Sequence, residues 1–338
     1  MQYNKENRGG HMKICFYSLR PFDELAFCEA FRKETGIDFV YTSEYPSMAN
    51  AELAEGCDAI SYTPCAVSEE LMRKFHDEGV KYLACRSIGY DHVDLKKAHE
   101  IGFRVSNVSY SPNGVANYAI MLMMMALRRM GHILKRAELQ DYSLKGKLGR
   151  DISSCTVGVI GTGKIGRTVI EHLSGFGCKI LAYDLYPQDS VRRYASYTDL
   201  DTLLKESDVI TLHTNATDAN YHLINEDTIA EMKDGAVIVN TARGKLIDAD
   251  ALIKGLRSGH IGAAALDVLE DENGLYYYNR MGDVLEQDSM AILRTFPNVI
   301  LSPHTAFYTD EDVRSMVEGV FTSVRLFEEG KENPHEVK

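Results

Sequence analysis

Short apolar runs, rich in valine and isoleucine, alternate with amphipathic stretches along almost the whole chain. Apolar runs of this length predict buried strands, and the stretches between them carry the three- and four-residue spacing of helices. In the first third, strands are predicted over 12–17, 37–42, 59–62, 82–86 and 104–107. Helices are predicted over 21–35, 68–76 and 95–100, with Pro21 at a first-turn position that tolerates proline. Strands alternating with helices predict a mainly parallel sheet covered on both faces, and right-handed crossovers make it doubly wound.

A turn at Ser111-Pro112-Asn113-Gly114 opens a long helix predicted to reach about residue 139. Its centre, Met121-Leu122-Met123-Met124-Met125, is apolar on every side. That predicts a buried helix, at a domain junction or in a subunit interface. The alternation then resumes, with strands predicted over 156–160, 179–183, 209–213, 236–240, 263–268 and 299–302. An amphipathic helix over 311–328 closes the chain and suits packing back on the first region. The expected α/β arrangement is a discontinuous domain with a second doubly wound domain inserted into it.

The run Thr156 to Ile160 feeds straight into Gly161-Thr162-Gly163-Lys164-Ile165-Gly166. A helix is predicted over 167–175, and a second apolar run ends at Asp184. Strand, G-x-G-x-x-G, helix, strand and acid together point to a bound dinucleotide rather than an ordinary βαβ turn. Gly161 permits the tight turn, Gly163 the approach of a pyrophosphate, and Gly166 close packing of helix on sheet. The helix N-terminus offers free N–H groups to phosphate. Asp184 would accept from a ribose, and its charge favours NAD over NADP.

Composition sets bounds. A net charge of −12 argues against nucleic acid or an anionic membrane as the main partner. The longest apolar run, Ala116 to Leu127, is too short to span a bilayer. Seven cysteines without a C-x-x-C pair read as small buried residues in a reducing cytoplasm. Residues 1–11 carry no apolar pattern and read as a tag or loose extension. No His/Cys/Asp spacing suggests a metal site.

Three strand ends in the second half carry candidate chemistry. Arg243 follows the 236–240 run, where a guanidinium could grip a carboxylate with a two-pronged fit. Asp267, near the end of the 263–268 run, and Glu270, Asp271 and Glu272 after it form an acidic cluster. His304 follows the last strand. Each alone reads equally as a surface arginine, a solvated turn or a loop histidine. Ligands of open α/β sheets collect at these ends, so three in succession favour an active site.

The glycine motif ending at Asp184, NTARGKLID (240–248), AALDVLEDE (264–272) and SPHTAFYT (302–309) resemble the D-specific 2-hydroxyacid dehydrogenases, from Met12 onward. RSIGYDHVDL (86–95), SNVSYSPNGVANYAIML (106–122) and HTAFYTDEDVR (304–314) are similar to the branch of D-lactate dehydrogenases and vancomycin-resistance pyruvate reductases. The resemblance implies a Rossmann NAD domain over 109–302 inserted into a flavodoxin-like substrate domain formed by 12–108 and 303–338. It implies His304 as general acid, Glu272 as the group that orients it and favours its protonated form, and Arg243 as the grip on the substrate carboxylate. It places the amides of Ile88 and Gly89 on that carboxylate too. Tyr110 and Phe307 would line the pocket, with Tyr62 a weaker candidate. Gly161, Gly163, Lys164, Ile165 and Asp184 would hold NAD, with Thr214, Asn215 and Asn220 along its adenosine side. Thr241, Ala242, Arg243, Asp267 and His304 would lie near its nicotinamide end.

One position departs from the pattern. The family usually carries proline two residues after the His213 position, and Asn215 stands there in this chain, which weakens Thr214 and Asn215 as cofactor contacts. The implied reaction is reduction of pyruvate to D-lactate by NADH in a cytoplasmic homodimer. The alternatives are a larger 2-oxo acid, giving D-2-hydroxyisocaproate or phenyllactate, and, from another class, a corepressor-like NAD(H) sensor.

Overall fold

The computed structural model describes residues 12–272 and 274–338. The expected extension at 1–11 lies outside them. The chain divides into two compact units, one formed by residues up to Ser111 together with Tyr308–Lys338, the other by Pro112–Phe307.

The first unit begins with β1 (Lys13–Phe16), α1 (Leu25–Thr35), β2 (Asp38–Tyr41), β3 (Ala59–Tyr62), α2 (Glu69–Asp77), β4 (Tyr82–Cys85), α3 (Leu95–Ile101) and β5 (Arg104–Ser106). The first helix starts later than the 21–35 expectation. Glu24 is the reason: its Oε2 accepts from the Arg20 amide at 2.7 Å and its Oε1 from the buried Arg86 guanidinium at 3.2 Å. The segment before Leu25 is thereby held as a turn. Gly36, at φ 74°, ends the helix. Ser68 and Asp94 cap α2 and α3 through side-chain oxygens.

The second unit contains α4 (Asn113–Leu127), α5 (Met130–Glu138), β6 (Thr156–Ile160), α6 (Lys164–Leu173), β7 (Lys179–Tyr183), β8 (Ser196–Tyr197), α7 (Leu200–Glu206), β9 (Val209–Leu212), α8 (Glu226–Ala230), β10 (Ala236–Asn240), α9 (Ala249–Ser258), β11 (Ile261–Leu266), α10 (Asp288–Leu293) and β12 (Val299–Leu301). Its strand order is β12-β11-β10-β9-β6-β7-β8, all parallel. The order reverses direction between β6 and β9, which creates a crevice at their C-terminal ends.

The single long helix expected from residue 113 to 139 is two helices. The Arg150 amide takes the Leu127 carbonyl at 2.9 Å, and Arg129 turns to φ 54°. Gly149 admits this approach, since a Cβ there would lie 2.6 Å from the Leu127 carbonyl oxygen. The buried face of α4, including Ala116, Ala119, Met123 and Ala126, belongs to the second unit's own core with Val157, Val169 and Val239. Met121, on its other side, is 41% exposed. The apolar run therefore serves that core first.

The chain then returns to the first unit as α11 (Asp310–Glu328) and β13 (Glu336–Val337). The sheet there runs β13-β5-β4-β3-β1-β2, with only the β13–β5 pair antiparallel. The five parallel strands have the flavodoxin-like order. Phe321 of α11 lies against Phe16 and Phe31, so the tail helix packs on this sheet and on α1.

The crossings between units fall at 111/112 and 307/308, a few residues beyond the expected 108/109 and 302/303. His304 and Phe307 thus belong to the second unit. Asp267 explains the shift: its carboxylate accepts from the Thr305 and Ala306 amides, both at 2.9 Å.

Candidate functional site

The glycine turn joins β6 to α6. Gly161 has φ 92°, and a Cβ on it would lie 2.5 Å from the His213 carbonyl oxygen. A Cβ on Gly166 would lie 2.0 Å from the Gly161 carbonyl oxygen. Both positions therefore exclude a side chain. Gly163 differs, because a Cβ there meets nothing within 4 Å. No side chain caps α6. Open space above an uncapped helix N-terminus suits a pyrophosphate held by the Lys164 and Ile165 amides.

Asp184 ends the β7 segment and faces this turn. Its Oδ2 accepts from the Thr162 amide at 2.5 Å and the Thr162 hydroxyl at 2.9 Å, and its Oδ1 from the Tyr186 amide at 2.8 Å. Carboxylates offer about four acceptor sites, so capacity remains for a ribose hydroxyl. Arg192 lies over Tyr197 and pairs with Asp189, and Arg193 lies over Tyr194.

His213 follows β9. Burial pushes its pKa down to about 3, so it is a neutral ring, and its Nε2 lies 2.9 Å from the Thr211 hydroxyl. In the loop after it, Asn220 accepts from the Thr217 amide at 2.7 Å and donates to the Asn215 carbonyl at 2.7 Å. Asn220 closes the loop in which Thr214 and Asn215 lie.

The other candidates follow β10, β11 and β12, which are neighbours in the sheet. Adjacent strands lie ~4.8 Å apart, so the β10 and β12 ends are separated by roughly 10 Å. Asn240, the last residue of β10, is fully buried. It donates to the Arg243 carbonyl at 2.8 Å, accepts from the Ala242 amide at 2.9 Å, and its own carbonyl accepts from the Asp267 amide at 2.9 Å. The Arg243 guanidinium donates to the Ala242 carbonyl at 2.7 Å. The Thr241 hydroxyl is buried and has no hydrogen-bond partner among the described residues. An orphaned hydroxyl beside Arg243 fits a ligand such as the nicotinamide end of NAD.

Asp267 is fully buried and organises the β12 loop. Besides Thr305 and Ala306 it holds the Ser302 hydroxyl at 2.6 Å, and its carbonyl accepts from the His304 amide at 2.7 Å. His304 sits at φ 53°, a conformation rare outside glycine. Its Nδ1 meets Glu272 Oε1 at 2.5 Å, while Glu272 Oε2 accepts from the Leu269 amide at 2.8 Å. The Tyr277 hydroxyl donates to the His304 carbonyl at 2.9 Å, and Phe307 stands edge-on to the imidazole at 6.4 Å.

Arg243, Asp267, Glu272 and His304 are therefore linked through Asn240 and shared backbone bonds within one unit. The sequence reading assigned no role to Asn240, Ser302 or Tyr277. Only Asn240 left a signal, as a polar residue ending the apolar run Ala236 to Val239.

In the first unit, Ile88 and Gly89 follow β4. Asn107 donates to the Ile88 carbonyl at 2.7 Å and Ser87 to the Gly89 carbonyl at 2.6 Å, which fixes both peptides. Tyr110 is half-buried near the unit's end. Tyr62 is 1% exposed and belongs to the unit's apolar core with Tyr17, Phe75 and Leu83, so it is a core residue. Among the described residues no helix is long and apolar enough to cross a membrane.

Known proteins share much of this sequence and this fold. Residues 120–306 match the family model described as D-isomer specific 2-hydroxyacid dehydrogenase, NAD binding domain. An aromatic 2-oxoacid reductase of Clostridium sporogenes is 44% identical over 94% of this chain and 96% of its own length. A D-lactate dehydrogenase of Lactiplantibacillus plantarum is 38% identical over 95% and 98%. The NAD-complexed D-isomer specific 2-hydroxyacid dehydrogenase of Lactobacillus delbrueckii ssp. bulgaricus superposes with a TM-score of 0.84. It is 32% identical, covering 97% of this chain and all of that one.

Proposed function

The chain belongs to the D-isomer-specific 2-hydroxyacid dehydrogenases, and from that premise we propose that it reduces a 2-oxo acid to the D-2-hydroxy acid, with His304 as the proton donor. The observation that carries this reading is the Glu272–His304 pair, which joins the loops after β11 and β12 on the side of the sheet where Arg243 follows β10. Glu272, as a carboxylate, only accepts, so Nδ1 carries the proton that bonds to it. Nε2 is left to give a proton to the substrate. Arg243 holds the carboxylate and stabilises charge growing on the carbonyl oxygen. Phe307 walls the space beside His304. NADH, held by the Gly161–Gly166 turn and Asp184, supplies the hydride when bound. Acid and cation act where charge develops, so they favour the transition state over the ground state.

For the substrate, the likeness to the Lactiplantibacillus plantarum D-lactate dehydrogenase supports pyruvate, giving D-lactate. A second reading has its own support in the likeness to the Clostridium sporogenes reductase, and takes an aromatic 2-oxo acid. Pyruvate, 2-oxoisocaproate and phenylpyruvate assayed with NADH and NADPH separate these readings. A kcat/KM for pyruvate more than ~100-fold below that for phenylpyruvate overturns the first. Reduction of none of them overturns the dehydrogenase reading.

We also propose a cytoplasmic homodimer. Leu139, Tyr142, Leu144 and Leu148 are each at least 76% exposed within one segment of the second unit, a patch that a second copy would cover. Sedimentation at micromolar concentration should give twice the chain mass.

A further inference from the structure

His222 and Glu270 take no part in the site described above, yet they grip the turn that supports it. Glu270 and Glu272 flank Asp271, which is at φ 59°. Glu272 serves His304. Glu270 is held by two side chains from the loop after β9: the Tyr221 hydroxyl donates to its Oε1 at 2.9 Å, and His222 Nε2 lies 2.8 Å from its Oε2. The Tyr221 and His222 rings stack at 3.8 Å with 18° between their planes. His222 is itself at φ 51°, and its amide donates to the Lys245 carbonyl at 2.9 Å. Its Nδ1 lies 3.9 Å from Asp248 Oδ2.

The same turn is confined by the Arg243 loop. A Cβ on Gly244 would lie 2.0 Å from the Leu269 carbonyl carbon and 2.2 Å from the Glu270 nitrogen. The Leu269 amide, in turn, holds Glu272. Three loops of one sheet edge therefore converge on residues 269–272. Two of the residues involved, His222 and Asp271, hold a backbone conformation that is kept only where the surroundings enforce it.

We propose that His222 is a positioning residue for the reaction: through Glu270 it sets the turn that aims Glu272 at His304. This rests on the dehydrogenase reading above. His222 touches neither reacting atom. Its loss frees the turn, and the imidazole loses the alignment that proton transfer needs.

The test compares wild type, His222→Ala, His222→Gln, Glu270→Gln, the His222→Ala/Glu270→Gln double variant and His304→Ala, using NADH and the best 2-oxo acid. His222→Ala should lower kcat about tenfold while both KM values stay within about twofold. His222→Gln, which keeps a donor toward Glu270, should restore most of the loss. Glu270→Gln should match His222→Ala, and the double variant should be no worse than either. The inference is overturned by a His222→Ala kcat within about twofold of wild type. It is equally overturned by a loss that glutamine does not rescue, or by losses that multiply in the double variant. Those outcomes, with wild type active and His304→Ala inactive, leave the dehydrogenase reading standing. A wild type that reduces no 2-oxo acid overturns both.

Discussion

Glu272 joins the His304 imidazole to the backbone, with one carboxylate oxygen 2.5 Å from Nδ1 and the other 2.8 Å from the Leu269 nitrogen. Neither oxygen can turn without giving up a bond, so the ring is held in one orientation. Glu272→Gln places an amide N–H against one of those donors. The expected result is a fall in kcat of roughly 10²-fold, with NADH affinity nearly unchanged, read by stopped-flow absorbance and NADH fluorescence titration.

Asp267 holds the Ser302 hydroxyl and the Thr305 and Ala306 amides from the interior. Asparagine has one acceptor oxygen and would point N–H groups at a donor. Asp267→Asn should cost about 2–3 kcal/mol in urea unfolding. It should also abolish turnover, because the His304 loop hangs on this carboxylate.

Two glycines separate folding from binding. Gly244→Ala forces a Cβ into the Leu269–Glu270 backbone and should lower both the melting temperature and activity. Gly163→Ala meets nothing in the protein, at a φ of −62° that alanine adopts freely. Its melting temperature without cofactor should equal wild type, while NADH affinity falls at least about tenfold, since the new methyl would occupy the space proposed for phosphate.

How much was legible in the sequence follows from where each determinant sits. The strand β10 could be read because Ala236 to Val239 is apolar and the run ends at a polar residue. The β6–α6 turn could be read because glycine spacing is itself the determinant. The break in the long helix could not, because it depends on the Arg150 amide taking the Leu127 carbonyl from outside the helix. Nor could the start of α1, set by Glu24 meeting Arg86 across 62 positions. His304 and Glu272 stood out as strand-end candidates, but their roles emerged only through likeness to a family, and the contact of His222 with Glu270 not at all, since it joins loops 48 residues apart.

Asp312 gives a pH dependence of stability. It is 1% exposed in the first turn of α11, with Oδ2 lacking a hydrogen-bond partner among the described residues, and burial pushes its pKa up to about 6. An acid whose folded pKa exceeds its unfolded value of 3.8 binds more protons when folded. Its contribution therefore declines as pH rises from about 4 to about 6, and the penalty is complete above that. Asp312→Asn should be more stable than wild type at pH 7.5 by up to about 2–3 kcal/mol, with the advantage gone near pH 4. Urea unfolding at the two pH values reads the difference.

The central claim is that His304 and Arg243 engage one 2-oxo acid. A crystal structure with NAD and oxamate, a 2-oxo acid mimic, measures it directly. His304 Nε2 is expected within ~3.2 Å of the oxamate oxygen that stands for the ketone, with Arg243 donating to the same ligand. A ligand bound next to NAD with either side chain more than ~5 Å from it would contradict the assignment of acid and grip.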